Sequence, residues 1–249
     1  MTNTARLAAC PIAEGGTPLE LWTSWGRRFA DLEVAACPGL AIVAPHPDDE
    51  TLGLGATAAM LHRAGVEVHV ISVTDGGAAH WGGGATDRAR LEAIRCAEVR
   101  RAAAILGIAE PIRLGLPDGD LVDRERNLAD HLSAALSCLP RGSWCAATWR
   151  GDGHPDHEAV GRAAAVAAER AGAVFFEYPV WMWHWGRPDD DAVPWQRARR
   201  VPVSDAALEA KHRAVQCFSS QIQPTAAGGP VLPAWVVQRL QAVGELVFA

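Results

Sequence analysis

Leu40-Ala41-Ile42-Val43-Ala44-Pro45-His46-Pro47-Asp48-Asp49-Glu50 carries an apolar run straight into a histidine and three consecutive acids. Leu40–Ala44 reads as a short buried strand. A helix is expected to follow the His-Pro, because Pro47 suits a first helical turn, where no amide hydrogen is missed. Packing does not explain the acids. Adjacent carboxylates repel one another, and such a run persists mainly where a cation or a proton-transfer step offsets the repulsion. The element returns about a hundred residues later as His154-Pro155-Asp156-His157.

Working outward, strand and helix alternate. Gly53 and Gly55 weaken the first helix but allow a close backbone approach, and Gly65 ends it. Val66–Val73 predicts a second strand, closed by Thr74-Asp75-Gly76-Gly77 and a glycine-rich loop to Thr86. A helix over 87–106 stops at Gly107. Pro111–Leu114 then reads as a strand, 124–139 as a helix and Trp144–Trp149 as a strand. His154 opens a helix to Ala171, Ala173–Tyr178 is a strand, and a Trp-rich loop leads to a helix over 205–218 and a final helix–strand unit. Upstream, residues 1–16 read as irregular, while Leu19, Trp22, Trp25, Phe29 and Leu32 predict one helix over 18–35.

This order predicts an α/β fold, a Rossmann-like three-layer sandwich with a mainly parallel sheet, built as a single domain over residues 1–249. Ligands of such sheets bind outside the carboxyl ends of the strands. Both His-Pro-Asp elements follow a strand or its loop, so both fall on that edge.

Composition narrows the function. The net charge is −6, with Lys211 the one lysine among 23 basic residues, and no basic run resembles a nucleic-acid footprint. Six cysteines lie scattered without a CxxC pair, which argues against a cysteine zinc site and for buried thiols in a reducing compartment. No basic stretch leads into an apolar signal sequence, and no run reaches the roughly 18–20 apolar residues of a membrane span. A cytoplasmic protein without membrane or nucleic-acid partners is expected.

A single His-Pro-Asp at a strand end would be read as a helix cap. Two copies on one sheet edge, each with another ligand-type residue three positions on, point to a metal centre. Catalytic zinc takes three protein ligands and keeps a position open. His46 and Asp49 stand one helical turn apart, as do His154 and His157. Two histidines and one carboxylate leave the ion net positive charge and Lewis acidity. Asp48 is then free as general base, and a histidine near the open position can stabilise an oxyanion. Spacing does not choose between His154 and His157 as ligand.

Pro45-His46-Pro47-Asp48-Asp49-Glu50 together with His154-Pro155-Asp156-His157 resembles the PIG-L/LmbE-like zinc-dependent N-acetylglucosaminyl deacetylases. The likeness continues through Val73-Thr74-Asp75-Gly76, Arg95 to Glu98, and Leu116-Pro117-Asp118-Gly119, covering about residues 40–220; residues 1–39 form an extension before the usual family start. The resemblance implies one Zn2+ per chain (or another divalent ion) held by His46, Asp49 and His157. It makes Asp48 the base, His154 the oxyanion partner and Asp156 a residue that orients a histidine. It implies removal of an N-acetyl group from an amino-sugar-containing small molecule or glycoside. Three other readings stand beside it. One is an amidase acting on a larger conjugate, another a non-catalytic carbohydrate-binding protein. The third is an Fe(II) oxygenase with a two-His-one-carboxylate triad, which the α/β alternation disfavours.

Substrate contacts are expected from Asp75, Trp81, Trp149, Arg150, Trp183 and His184. Alternation in Trp181-Met182-Trp183-His184-Trp185 predicts an extended segment with its three indoles on one side, as core, as a wall against a sugar or apolar aglycone, or as a homo-oligomer interface. Arg95 and Glu98, i,i+3 on a helix, predict a structural ion pair.

Overall fold

The computed structural model describes residues 1–79, 84–224 and 228–249. Eight strands form one sheet: β1 (Ala30–Asp31), β2 (Leu40–Ala44), β3 (Val68–Thr74), β4 (Ile112–Leu116), β5 (Trp144–Thr148), β6 (Val174–Tyr178), β7 (Ala198–Arg200) and β8 (Leu246–Phe248). Their spatial order is β1-β7-β8-β6-β5-β2-β3-β4. All pairings are parallel except those that β8 makes with β6 and β7. β2 is fully buried and pairs with β3 on one side and β5 on the other. The chain winds away from β2 in both directions, so the crevice beyond its carboxyl end is the switch point where such sheets bind ligands.

Ten helices are described: α1 (Asn3–Ala8), α2 (Leu19–Thr23), α3 (Asp49–Arg63), α4 (Ala85–Leu106), α5 (Glu125–Leu136), α6 (Pro155–Ala171), α7 (Met182–Trp185), α8 (Asp205–Val215), α9 (Ser219–Ile222) and α10 (Ala234–Ala242). On one face, the alanine-rich side of α6 packs with Leu128, Leu132 and Leu136 of α5 against Val43, Val73 and Ala147. On the other face, α3, α4, α8 and α10 share a second core with Ile42, Val70, Tyr178 and most of the tryptophans. The three layers are those expected. No helix among the described residues is long and apolar enough to cross a membrane.

Four local expectations give way. The chain forms helix at Asn3–Ala8, and the helix expected over 18–35 stops at Thr23, because residues from Ala30 instead join the sheet edge beside β7. α3 begins at Asp49, not Pro47: Asp48 takes φ 139, ψ −32, a strained geometry that breaks the helical path. The 181–185 segment is a helical turn rather than a strand. One carboxylate, that of Asp152, accepts the amides of Val180, Trp181 and Met182, and successive strand amides cannot converge this way.

α3 is itself divided at Leu54 (φ −136, ψ 22). The amides of Ala56 and Thr57 donate to the Glu245 carboxylate at 2.8 and 2.7 Å. Lys211 from α8 balances that charge at 2.8 Å, all four residues being buried. An acid supplied from a distant segment thus caps the second half of the helix.

The glycines of α3 serve close approach, as the sequence suggests. Tyr178 donates to Val43 O at 3.0 Å with its ring lying where a Cβ on Gly53 would be. Gly53→Ala is therefore expected to destabilise the fold by about 2 kcal/mol through overpacking, despite alanine's better helix propensity. A lowered urea midpoint at unchanged m-value would show it; an unchanged midpoint would contradict this packing.

Candidate metal-dependent active site

β2 ends at Ala44 and delivers His46, Asp48 and Asp49 to the sheet edge; β5 ends at Thr148 and, through the 149–153 turn, delivers His154, Asp156 and His157. The two stretches meet. Asp49 Oδ2 lies 3.2 Å from His46 Nδ1 and 3.2 Å from His157 Nε2. These three residues present ligand atoms close enough to one another to hold a single ion. A second set, His46, His154 and Asp156, shares His46 with the first.

Each imidazole of the first set is held from behind by carboxylate. His46 Nε2 lies 3.0 Å from Asp118 Oδ1 and 3.3 Å from Asp156 Oδ2, which leaves Nδ1 facing Asp49. His157 Nδ1 lies 2.8 Å from Asp152 Oδ2, and its buried Nε2 faces Asp49 Oδ2 at 3.2 Å without the alignment of a hydrogen bond. Two carboxylate-backed imidazoles whose other nitrogens converge on one carboxylate oxygen suit a divalent cation.

The electrostatics agree. Burial opposes charge on His157, but Asp49 and Asp152 overcome it and raise its pKa to about 9. His46 is raised well above its ordinary value against the same burial, by Asp118, Asp156 and Asp49. Burial likewise works against ionised Asp49, and the two imidazoles outweigh it, holding its carboxyl far below the usual range. The carboxylate field that draws protons onto the histidines favours a metal ion in their place. The donor set fits the group.

Asp48 stands apart from this triad. Its Oδ2 accepts from Arg95 at 3.1 Å, while the same guanidinium donates to Pro47 O at 2.9 Å and Gly76 O at 3.0 Å. Burial raises the Asp48 pKa to about 7 against the pull of Arg95. Glu50 fixes the strained backbone here: its Oε2 accepts the Asp48 amide at 3.1 Å and its Oε1 the Thr51 hydroxyl at 2.6 Å.

His154 is the N-cap of α6, and its Nδ1 accepts the Asp156 amide at 3.2 Å. An accepting Nδ1 places the proton of the neutral ring on Nε2. Burial and the neighbouring His157 and His46 push the His154 pKa down to about 3, so the ring is neutral with its proton on Nε2. Asp156 accepts from Gly119 N at 2.8 Å and Leu121 N at 3.3 Å, tying the 116–121 turn to His46.

The expected substrate contacts fare differently. Trp149 stacks on Trp185 at 6.4 Å, and Trp183 meets Trp22 edge-on at 5.0 Å, both within the core. His184 is buried between Cys10 O (3.0 Å) and Arg239 (3.1 Å). Asp75 is bound to Arg113 at 2.8 and 2.5 Å, and Arg150 to the buried Glu177 at 2.8 and 3.1 Å. None of these five lines the cavity above the triad, and Trp81 lies outside the described residues. Trp181 alone of its segment does line it.

Arg95 and Glu98 do not pair. Arg95 joins the site, while Glu98 accepts from Ser219 (2.8 Å) and Ser220 (2.8 and 2.7 Å). Asp118 and Asp152 carry no expected role from sequence, yet each backs an imidazole. The Gly151-Asp152-Gly153 turn directly before the second His-Pro-Asp is the one signal for Asp152.

A family model described as GlcNAc-PI de-N-acetylase, PIG-L, matches residues 41–168, which contain both His-Pro-Asp elements. The 1D-myo-inositol 2-acetamido-2-deoxy-alpha-D-glucopyranoside deacetylase of Mycobacterium avium is 41% identical over 88 residues, 33% of this chain. The chain spans only 29% of that relative's length. Diacetylchitobiose deacetylase of Thermococcus kodakarensis is 27% identical over 198 residues, covering 78% of this chain and 72% of its own. Among solved structures, a conserved protein of Thermus thermophilus superposes with a TM-score of 0.58 at 27% identity, over 80% of this chain and 84% of its own. With its matched region holding every residue of the triad, this chain belongs to the PIG-L family.

Proposed function

We propose that this protein is a zinc-dependent hydrolase that removes an N-acetyl group from an amino-sugar-containing small molecule, releasing acetate and a free amine. The observation that carries the reading is the placement of Asp49 Oδ2 between His46 Nδ1 and His157 Nε2, with Asp48 beside the triad but bound to Arg95. Family membership and the names of the mycobacterial and Thermococcus relatives support the acetamido sugar as substrate class.

His46, Asp49 and His157 would hold the ion, which supplies Lewis acidity toward the amide carbonyl and an attacking water. Asp48 Oδ accepts the proton of that water. Arg95 fixes the carboxylate's direction through its bonds to Asp48, Pro47 O and Gly76 O. The Nε2–H of neutral His154 donates to the oxygen that gains charge as the carbonyl carbon becomes tetrahedral. Asp48, now protonated, can return its proton to the departing nitrogen. Asp118 and Asp156 keep His46 in the tautomer that presents Nδ1, and Asp152 does the same for Nε2 of His157. The burial of Asp49, Asp156 and His157 keeps competing water from these polar groups.

Asp48→Asn keeps the shape of the side chain but cannot take a proton. Zinc content measured by elemental analysis should be unchanged while acetate release from an N-acetylated amino sugar falls at least ~100-fold. Near-normal turnover in this variant would rule out Asp48 as base.

His157→Ala should purify without stoichiometric metal. Asp152→Asn should retain the ligand yet weaken zinc affinity by roughly 10–100-fold, read by competition with a chromogenic chelator. Unaltered affinity in Asp152→Asn would remove it from the metal-holding group.

A further inference from the structure

The cavity over the ligand cluster has a volume of about 790 Å³ and is chemically divided. Among the described residues its charged groups are confined to the floor: His46, Asp48, Asp49, Arg95, Asp118 and His154. Among the described residues its walls are mainly apolar, and two segments remote in sequence build much of them. Leu7 and Ile12 come from the N-terminal extension, Val231 from the stretch before α10, and Leu52 and Trp181 complete the surface.

Polar bonds hold this wall in place. Arg239 of α10 donates to Gly15 O and to His184 Nδ1, and His184 Nε2 donates to Cys10 O at 3.0 Å. Trp235 Nε1 donates to Ile12 O at 3.3 Å, joining the two segments directly. Leu7, Ile12, Trp181 and Val231 are each only half-buried, so the structure fixes apolar side chains beside a charged centre without covering them.

A cavity of this size lies in the range that encloses a drug-sized ligand, more than one N-acetylated monosaccharide fills. Sugar hydroxyls placed against such walls would lose water without gaining partners. An apolar group there gains by leaving water. We infer that the substrate is a glycoside of an N-acetylated amino sugar whose aglycone is apolar and lies against Leu7, Ile12, Trp181 and Val231. The inference rests on the deacetylase reading above, which assigns the acyl side of the amide to a small acetyl group and leaves the walls to the other side.

The test compares three compounds on the zinc-loaded full chain: the methyl glycoside of N-acetylglucosamine, its octyl glycoside, and the methyl glycoside carrying an N-octanoyl group. Released amine gives kcat/KM, and calorimetry gives binding. Each methylene buried against the wall contributes roughly fourfold. The octyl glycoside should therefore exceed the methyl glycoside at least tenfold in kcat/KM, and the double variant Ile12→Ser, Val231→Ser should erase most of that ratio. The comparison in the unaltered chain decides even if the variant does not fold. Equal kcat/KM for the two N-acetyl glycosides overturns the aglycone assignment and leaves deacetylation intact. Preference for the N-octanoyl compound overturns both, since the walls would then hold the acyl chain. No amine from any compound, with octyl glycoside binding at least tenfold tighter than methyl, sinks the deacetylase reading while supporting the apolar site.

Discussion

Asp48, Asp49, Asp118, Asp152 and Asp156 crowd around His46 and His157 at the carboxyl ends of β2 and β5, and positive charge among them is what makes the arrangement tenable. Carboxylates this close and this buried repel strongly in a medium of low dielectric. Arg95 neutralises one edge of the cluster. The imidazoles neutralise the centre, as protonated rings or as ligands to a cation. Much of the surrounding structure holds this charge balance in place: the amides of Gly119 and Leu121 on Asp156, those of Val180, Trp181 and Met182 on Asp152, and that of Asp48 on Glu50. These backbone amides are thereby committed to carboxylates rather than to regular secondary structure. The strain at Asp48 belongs to the same account, since its carboxylate reaches Arg95 from a backbone conformation that L-residues rarely adopt.

The alternation of apolar runs and helical stretches made the α/β sheet readable, because its central strands are buried on both faces and so read as continuous apolar sequence. The triad was readable for a different reason: its members occur as short acidic histidine elements at strand ends, and the fold class fixes where strand ends lie. What escaped were residues whose partners are distant in the chain. Arg95 looks like half of a local helical pair, and only the tertiary structure brings Pro47 and Asp48 to it across some 47 residues. Asp118 and Asp152 are single acids in glycine-containing turns, indistinguishable by type from loop aspartates. The tryptophans misled for a physical reason. Alternation along 181–185 mimics a strand, but Asp152 gathers the local amides into a turn, so Trp183 and Trp185 enter the core and Trp181 alone faces the cavity. The early end of α2 has the same character: an open sheet edge beside β7 competes with helical propensity and wins.

The second core is more than support. Trp185 donates to Asp152 O at 2.7 Å and stacks on Trp149, so indoles that make no contact with the cavity still fix the turn that backs His157. The N-terminal extension is joined to the same region by His184 and Arg239. Hydrogen bonds therefore run from the extension through the tryptophan core to the Asp152 turn, whose carboxylate meets His157 Nδ1.

The node of Glu245, Lys211 and the divided helix α3 has a consequence of another kind. Lys211 is the one lysine of the chain, and it is 1% exposed with its ammonium bound to Glu245. Every other basic side chain in the sequence is a guanidinium or an imidazole. An amine-reactive ester applied to the folded protein thus finds no lysine side chain to acylate. Labelled Lys211 appears only when α8 parts from α3 and β8, so acylation at this single position reports the opening of that node, residue-specific and separate from any measurement at the active site.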